Sequence, residues 1–152
     1  MPDPPIVERE SFTVVGLSYH GTNQEGEISA LWEQTADYED ALGSLALDDD
    51  AYGVSYGGDP ETGEFDYVAG VRADPDADVP DDMEAVSMPA ATYAVFTTTL
   101  SDIQETMAWV HGEWLPDSGY EMALGPEFER YDSAFDPRDP DADFEIFVPI
   151  DR

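Results

Sequence analysis

Two halves of the chain, separated by an Asp- and Pro-rich stretch at residues 74–82, show the same order of predicted elements. In the first half, residues 11–20 are rich in β-branched and aromatic side chains and predict a strand. Apolar residues recur at spacings of three and four over residues 26–45, which predicts an amphipathic helix. Residues 51–56 and 65–72 then alternate as the two strands of a β-hairpin. The first half therefore reads as a strand-helix-strand-strand module.

The second half repeats that order without repeating the sequence. A strand region covers residues 83–98, with an interruption at Pro89, and an amphipathic helix follows that stops at Pro116. Residues 127–133 and 144–150 predict the last two strands. Because neither module could bury both of its faces alone, we expect the two modules to pair into one structure.

The sequence thus predicts a single α+β domain over residues 11–152, preceded by a flexible N-terminal lead at residues 1–10. Within the domain, a pseudo-twofold tandem repeat of strand-helix-strand-strand modules occupies residues 11–73 and 83–152. The strands of both modules are expected to form one antiparallel sheet with two helices across it.

Acidic side chains dominate the composition. The chain has 36 Asp and Glu residues against 5 basic residues, all of them Arg, and its net charge is −31. This composition resembles that of proteins from salt-accumulating halophilic archaea, because molar salt shortens the Debye length to about 3 Å and relieves self-repulsion. A surface of this kind repels phosphate, which argues against direct binding to nucleic acid or to an anionic membrane.

Several kinds of site have no signature in the sequence. There is no Cys, and the two histidines, His20 and His111, lack the spacing of a metal-ligand set. We find no Gly-rich phosphate loop after a strand, no Ser-His-Asp order, no signal peptide and no apolar run long enough for a membrane span. We therefore expect a cytoplasmic protein with no metal and no cofactor.

One carboxylate is a candidate for a pocket rather than the surface. On the strand predicted at residues 127–133, alternation places Glu129 and Tyr131 on one face and Phe128 and Arg130 on the other. A single Glu in so acidic a chain is most often a solvated surface charge. If Glu129 is buried, however, its carboxylate must find a partner or its pKa must rise, and a cationic ligand would supply that partner.

Four fragments, taken in order, carry a resemblance to a known family. They are Met-Pro-Ala-Ala-Thr-Tyr-Ala-Val-Phe at 88–96, Glu-Trp-Leu-Pro-Asp-Ser-Gly-Tyr at 113–120, Phe-Glu-Arg-Tyr at 128–131 and Val-Pro-Ile at 148–150. With the elements between them, these fragments resemble the GyrI-like small-molecule-binding family, which also supplies the effector-binding domain of AraC-type and MerR-type multidrug regulators. No helix-turn-helix segment is predicted here, so we expect a stand-alone domain that reaches DNA only through a partner.

The resemblance implies a cleft between the modules, lined by aromatic rings and floored by an acidic residue that recognises cationic or amphipathic ligands. The family's glutamate falls on Glu129, and its tryptophan at the helix end falls on Trp114. Tyrosines on the predicted strands would supply ring faces to a cation. The candidate ligand-binding residues are Glu129, Trp114, Tyr131, Tyr93, Tyr67 and Tyr19.

Three functions remain open from the sequence. The first is a small-molecule-binding protein for a hydrophobic, cationic compound, linked to transcriptional regulation or to toxin sequestration. The second, implied by the resemblance, is a hydrolase of cyclopropane-bearing or other strained electrophiles, in which Glu129 acts as general base and Trp114 positions the substrate. The third is an interaction protein whose acidic surface mimics nucleic acid. A protein partner, or a homodimer formed through an exposed sheet edge, is also left open.

Overall fold

The computed structural model describes residues 4–22, 26–56, 58–59, 61–123, 126–132, 135, 139 and 141–151. Its elements follow the predicted order, with additional short elements before the first module and around the second helix. In chain order they are β1 Ile6–Arg9, β2 Phe12–Gly21, α1 Glu27–Thr35, a 3-10 turn Ala36–Tyr38, α2 Glu39–Leu45, β3 Ala51–Tyr56, β4 Phe65–Ala73, β5 Glu84–Met88, β6 Ala91–Thr99, α3 Ile103–Trp109, a π-helical turn Val110–Trp114, α4 Leu115–Ser118, β7 Glu121–Met122, β8 Glu127–Tyr131 and β9 Asp143–Asp151.

The strands form one antiparallel sheet, which confirms the predicted α+β fold class. Their order is β1-β6-β9-β8-β3-β4-β2-β5, and β7 is added along β9. Each module contributes three adjacent strands, β3-β4-β2 from the first and β6-β9-β8 from the second. The two sets meet where β3 pairs antiparallel with β8. Because these strands hold equivalent places in their modules, the pseudo-twofold axis passes between them.

The N-terminal segment requires a correction. Residues 1–10 were expected to be a flexible lead, but Ile6–Arg9 form β1 and pair with β6 of the second module; residues 1–3 lie outside the described part. The strand region predicted over residues 83–98 is divided at the predicted interruption at Pro89 into β5 and β6, and β5 pairs with β2 of the first module. Thus β1, which precedes the strands of the first module, pairs with the outer strand of the second module, and β5 pairs with the outer strand of the first. Both edges would otherwise have unpaired backbone groups.

Both helical segments lie on one face of the sheet. The helix predicted over residues 26–45 is interrupted by the 3-10 turn Ala36–Tyr38, and its two parts pack on β2 and β4 through Leu31 and Leu42. The segment of α3, the π-helical turn and α4 packs on β6 and β9 through residues such as Val110. In the described part of the chain, no helix has the length and apolar character that a membrane crossing needs.

The opposite face carries a cluster of buried side chains that come from strands alone. Phe128 of β8 stacks on Phe147 of β9 at 4.3 Å between ring centroids and meets the ring of Phe12 of β2 at 5.3 Å. The guanidinium carbon of Arg9 lies 4.8 Å from the ring centroid of Phe12, although β1 and β2 belong to opposite ends of the sheet order. These contacts require the sheet to curl toward this face into a half-barrel.

Replacing Arg9 with methionine is expected to lower the free energy of unfolding by about 1 kcal/mol, because a half-buried cation–π contact contributes roughly that much. The guanidinium lies over three rings, those of Phe12, Phe128 and Phe147. Denaturant unfolding in molar KCl measures the change, since screening there suppresses the long-range effect of removing a positive charge. Methionine retains the apolar stem, so an unchanged unfolding midpoint would show that the guanidinium does not stabilise the half-barrel.

Candidate functional site

The junction of the two modules places a carboxylate opposite a glycine. In the pairing of β3 with β8, Gly53 lies directly across from Glu129. Glu129 Oε1 accepts two hydrogen bonds, one from the hydroxyl of Tyr131 at 2.8 Å and one from the hydroxyl of Tyr67 at 2.9 Å. Tyr67 comes from β4 of the first module and Tyr131 from β8 of the second, so the site joins both halves of the chain.

A tryptophan of the first helix completes this network. Trp32 Nε1 donates a hydrogen bond to the hydroxyl oxygen of Tyr67 at 3.0 Å, which orients the Tyr67 hydroxyl to donate to Glu129. The ring of Trp32 also meets the ring of Tyr131 edge-on, with centroids 5.3 Å apart. One oxygen of Glu129 is thus satisfied by the protein. Within the described residues, no hydrogen bond or ion pair involves the other oxygen, Oε2.

The charge of Glu129 is poorly compensated. Burial raises the pKa of Glu129, hydrogen bonds from Tyr131 and Tyr67 oppose that rise, and the charge of Glu127 adds to it; none of these causes is a cationic side chain. The pKa values of Tyr67 and Tyr131 are raised well above the ordinary phenol value, first by burial and then by the nearby Glu129 carboxylate. Both phenols therefore keep their protons and act as donors.

A cavity of about 190 Å³ opens beside the carboxylate, between α3 and the strands. Ile103 and Met107 of α3 form its apolar wall, and Ile146 of β9 lies on the sheet side. Glu127, two residues before Glu129 on β8, also lines it, and burial raises the pKa of Glu127. The arrangement presents negative charge inside an apolar enclosure, which suits a ligand with a cationic group and a hydrophobic body.

Gly53 is a structural requirement of this site. A Cβ at position 53 would overlap the hydroxyl of Tyr67 and would lie 2.9 Å from Glu129 Oε1. Only a residue without a side chain lets the Tyr67 hydroxyl approach the carboxylate across β3. Sequence reasoning missed this residue, although a glycine inside a predicted strand often marks a close approach of other groups.

Of the predicted ligand-binding residues, the structure brings three together: Glu129, Tyr131 and Tyr67. Tyr19 of β2 lies directly opposite Tyr67 in the pairing of β2 with β4, on the same face, and its ring meets that of Phe65 at 6.3 Å. It is a neighbour of the network rather than a hydrogen-bond partner of Glu129.

Two predicted residues lie elsewhere. Tyr93 is on the helix-free face, 1% exposed, with its ring packed against those of Phe128 and Phe147. Trp114 is buried against Phe96 and stacks on Tyr120, and it lines a separate open groove instead of the Glu129 cavity. The π-helical turn that ends at Trp114 changes the direction of the side chains that follow α3, which helical spacing alone did not reveal.

Two further residues of the site, Trp32 and Glu127, were not among the binding residues predicted from the sequence. The signal for Glu127 was available, because strand alternation places it on the same face as Glu129. The signal for Trp32 was weaker, since its contact with Tyr67 joins residues of two different elements.

Among the described residues, no group of three or more His, Asp or Glu side chains is arranged to hold a metal ion. His20 is instead held at an exposed position between two carboxylates, with Nδ1 2.9 Å from Asp66 Oδ1 and Nε2 2.8 Å from Glu64 Oε2. These contacts raise the pKa of His20, with Asp66 the largest cause and Glu64 the next.

Comparison with known proteins agrees with this architecture. The transcriptional regulator BrlR of Pseudomonas aeruginosa is 34% identical over 148 residues, which are 95% of this chain and 54% of BrlR. A DNA gyrase inhibitor of Erwinia billingiae is 33% identical over 96 residues, which are 59% of each protein. The chain thus spans between half and two thirds of the length of these relatives.

A solved structure, that of SAV2435 bound to tetraphenylphosphonium, shares the fold with a TM-score of 0.78 and 19% identity, over 99% of this chain and 94% of that one. The sequence also matches the GyrI-like small molecule binding domain over residues 2–151, nearly its whole length. The chain therefore belongs to the GyrI-like small-molecule-binding domain family.

Proposed function

We propose that this chain binds small hydrophobic cations, and that Glu129 is the residue that recognises their charge. The observation that carries the proposal is the half-buried side chain of Glu129, which lines a cavity with an apolar wall; two phenols hold its Oε1, and Oε2 has no partner among the described residues. A carboxylate that loses water without gaining a positive partner is destabilised, and a bound cation removes that penalty. The related fold of SAV2435 is bound to tetraphenylphosphonium, a lipophilic cation, which supports the same ligand class here.

The rings around the carboxylate support a cation better than a neutral ligand. Trp32 and Tyr131 meet edge-on beside Glu129 and leave no space between them, so a cation at the carboxylate would approach the outer faces of these rings as well as negative charge. Each contribution is modest alone, but both favour the same ligand chemistry.

The test compares phenyltrimethylammonium with its neutral isostere tert-butylbenzene, in molar KCl, for the wild type and Glu129→Gln. Glutamine still accepts hydrogen bonds from the two tyrosines but carries no charge. We expect the substitution to weaken the cation by roughly tenfold to a hundredfold, the range for a lost charge-assisted contact. The affinity for the neutral isostere should stay the same. Titration calorimetry measures both affinities.

The matched control is Glu105→Gln, which removes an exposed charge from α3, the helix that forms the cavity wall. This variant should bind both compounds as the wild type does. If Glu105→Gln and Glu129→Gln weaken the cation equally, the effect comes from the general acidic field and the proposed role of Glu129 is wrong.

A hydrolase is the second candidate, because Glu129 lines a cavity and its raised pKa makes its carboxylate a stronger base. The substrate would be a strained electrophile, such as a cyclopropane-bearing compound. Water would bond to a ring carbon and lose a proton to Glu129, while the ring C–C bond breaks and the carbon that keeps the electron pair takes up that proton. The tryptophan linked to Glu129, through the hydroxyl of Tyr67, is Trp32 and not Trp114. Mass spectrometry after incubation distinguishes the candidates, since a binding protein returns the compound unchanged.

The relatives support a regulatory setting for the binding activity. We propose that ligand capture by this domain serves transcriptional regulation or toxin sequestration, since BrlR is a transcriptional regulator that shares 95% of this chain's length in alignment. The net charge of −31 further supports a salt-accumulating halophile as the source, and with it a cytoplasmic protein.

A further inference from the structure

A second carboxylate shares the Glu129 cavity and has no assigned role. Glu127 lies two residues before Glu129 on β8 and points to the same face, so their Cα atoms are about 7 Å apart along the strand. Both side chains line the cavity, and Ser55 of β3 lies directly across from Glu127. The two acidic groups are therefore presented side by side to one enclosed volume.

The described part of the chain leaves the Glu127 carboxylate without a partner. Glu129 has two phenol donors, whereas Glu127 has no hydrogen bond and no ion pair within the described residues. Its side chain is half-buried, and burial raises its pKa. The described residues that line the cavity with Glu127 include no cationic side chain, and Ile103 and Met107 form an apolar wall.

The neighbouring charges make the pair unfavourable in the empty site. The carboxylate of Glu127 raises the pKa of Glu129, as expected when like charges share a poorly solvated space. One cationic group can neutralise one of the two carboxylates and leaves the other uncompensated. Two cationic groups on a single molecule can neutralise both.

We propose that the cavity selects amphipathic dications, with one cationic centre paired with Glu129, the other with Glu127, and the apolar linker against Ile103 and Met107. This inference rests on the proposed cation binding at Glu129 and specifies its ligand class. A linker of about five methylene groups matches the spacing of the two residues along β8. Linear diamines and drug-like molecules with two protonated amines have this chemistry.

The test uses pentane-1,5-diamine, its singly charged isostere hexylamine, and propane-1,3-diamine, whose shorter linker does not match the spacing of the two residues along β8. We expect the wild type to bind pentane-1,5-diamine about tenfold more tightly than either other amine, the ratio that one additional charge pair gives. Glu127→Gln should weaken pentane-1,5-diamine by about tenfold and should weaken hexylamine much less. Glu129→Gln should weaken all three amines. Calorimetry in KCl at constant ionic strength provides the affinities.

The outcomes separate the two proposals. If Glu127→Gln weakens pentane-1,5-diamine no more than Glu105→Gln does, or weakens hexylamine equally, the dication inference is wrong while cation binding at Glu129 stands. If Glu129→Gln leaves every amine unchanged, the proposed function itself fails. Glutamine preserves the volume of the side chain and removes an unpaired charge, so Glu127→Gln should unfold no earlier than the wild type, which circular dichroism checks.

Discussion

Replacing Gly53 with alanine is expected to lower the free energy of unfolding by about 1–3 kcal/mol, the usual cost of an overpacked core, and to abolish cation binding. The new Cβ would overlap the Tyr67 hydroxyl, lie 2.7 Å from its Cζ and lie 2.9 Å from Glu129 Oε1. Gly53 cannot move away, because β3 is paired with β4 through Ala69 on one side and with β8 on the other. Tyr67 cannot move at low cost either, since it is 2% exposed.

Gly53→Ala should lose cation binding as well as stability because the new Cβ displaces Tyr67. Tyr67 holds Glu129 Oε1 and is itself held by Trp32, so moving its hydroxyl breaks both hydrogen bonds at once. Denaturant unfolding in molar KCl gives the stability, and titration with phenyltrimethylammonium gives the affinity.

Gly43→Ala is the matched control for this prediction. Gly43 lies within α2, and a Cβ there would meet no heavy atom within 4 Å. Alanine should leave binding unchanged and raise helix stability slightly, by up to about 1 kcal/mol. Wild-type unfolding and binding for Gly53→Ala would contradict the packing described for the junction.

Cation affinity should fall by about tenfold for each pH unit below the pKa of Glu129, because binding must then first remove a proton from the carboxylate. The pKa of Glu129 is raised, so this loss begins at a higher pH than for an ordinary Glu. Phenyltrimethylammonium is the suitable probe, since its charge is independent of pH. Calorimetric titration across the acidic range measures the profile.

The free energy of unfolding of the protein without ligand should change with pH in the opposite direction, falling as the pH rises. Because the folded pKa of Glu129 is higher than the unfolded one, the folded state holds the proton more strongly. This contribution to the free energy of unfolding is fully present below the unfolded pKa and is lost as the pH rises through the folded pKa. Tyr67→Phe should shift the affinity profile to higher pH, because it removes a hydrogen bond that stabilises the carboxylate.

Glu129→Gln tests whether the pH dependence of cation affinity comes from Glu129 or from the other acidic residues. The glutamine variant should bind phenyltrimethylammonium weakly at every pH, without the tenfold loss of affinity for each pH unit that Glu129 causes. A profile in Glu129→Gln with the same slope as in the wild type would show that other acidic groups cause the dependence.

The modular order was determined by local patterns in the sequence. Alternation and helical spacing predicted the strand-helix-strand-strand modules, and the structure confirms the α+β sheet with helices on one face. Alternation on β8 also placed Glu129 and Tyr131 on one face, where the Tyr131 hydroxyl does donate to Glu129. Both predictions succeed because they concern neighbours along one element, whose side-chain directions the backbone geometry sets.

The composition of the site was decided by the tertiary structure. Tyr67 and Glu129 are 62 positions apart, and they meet only because β3 lies between β4 and β8 in one particular register. Shifting that register by one residue would turn every side chain of a strand to the other face. No local pattern states which strands of the two modules become neighbours, so the requirement for Gly53 appears only when they are assembled.

The remaining differences between the predicted and the observed positions of residues also arise from contacts between distant segments. Tyr93 and Trp114 were placed by their aromatic character and by resemblance, but the curl of the sheet buries Tyr93 on the helix-free face and the π-helical turn directs Trp114 to another groove. The pairing of β1 with β6 likewise joins segments more than 80 positions apart. Local patterns in the sequence predicted the main helices and strands of the two modules and the faces of their strands, but not β1, β7 or the π-helical turn. The tertiary structure decided which faces meet, because strand register and sheet curl depend on packing between distant segments.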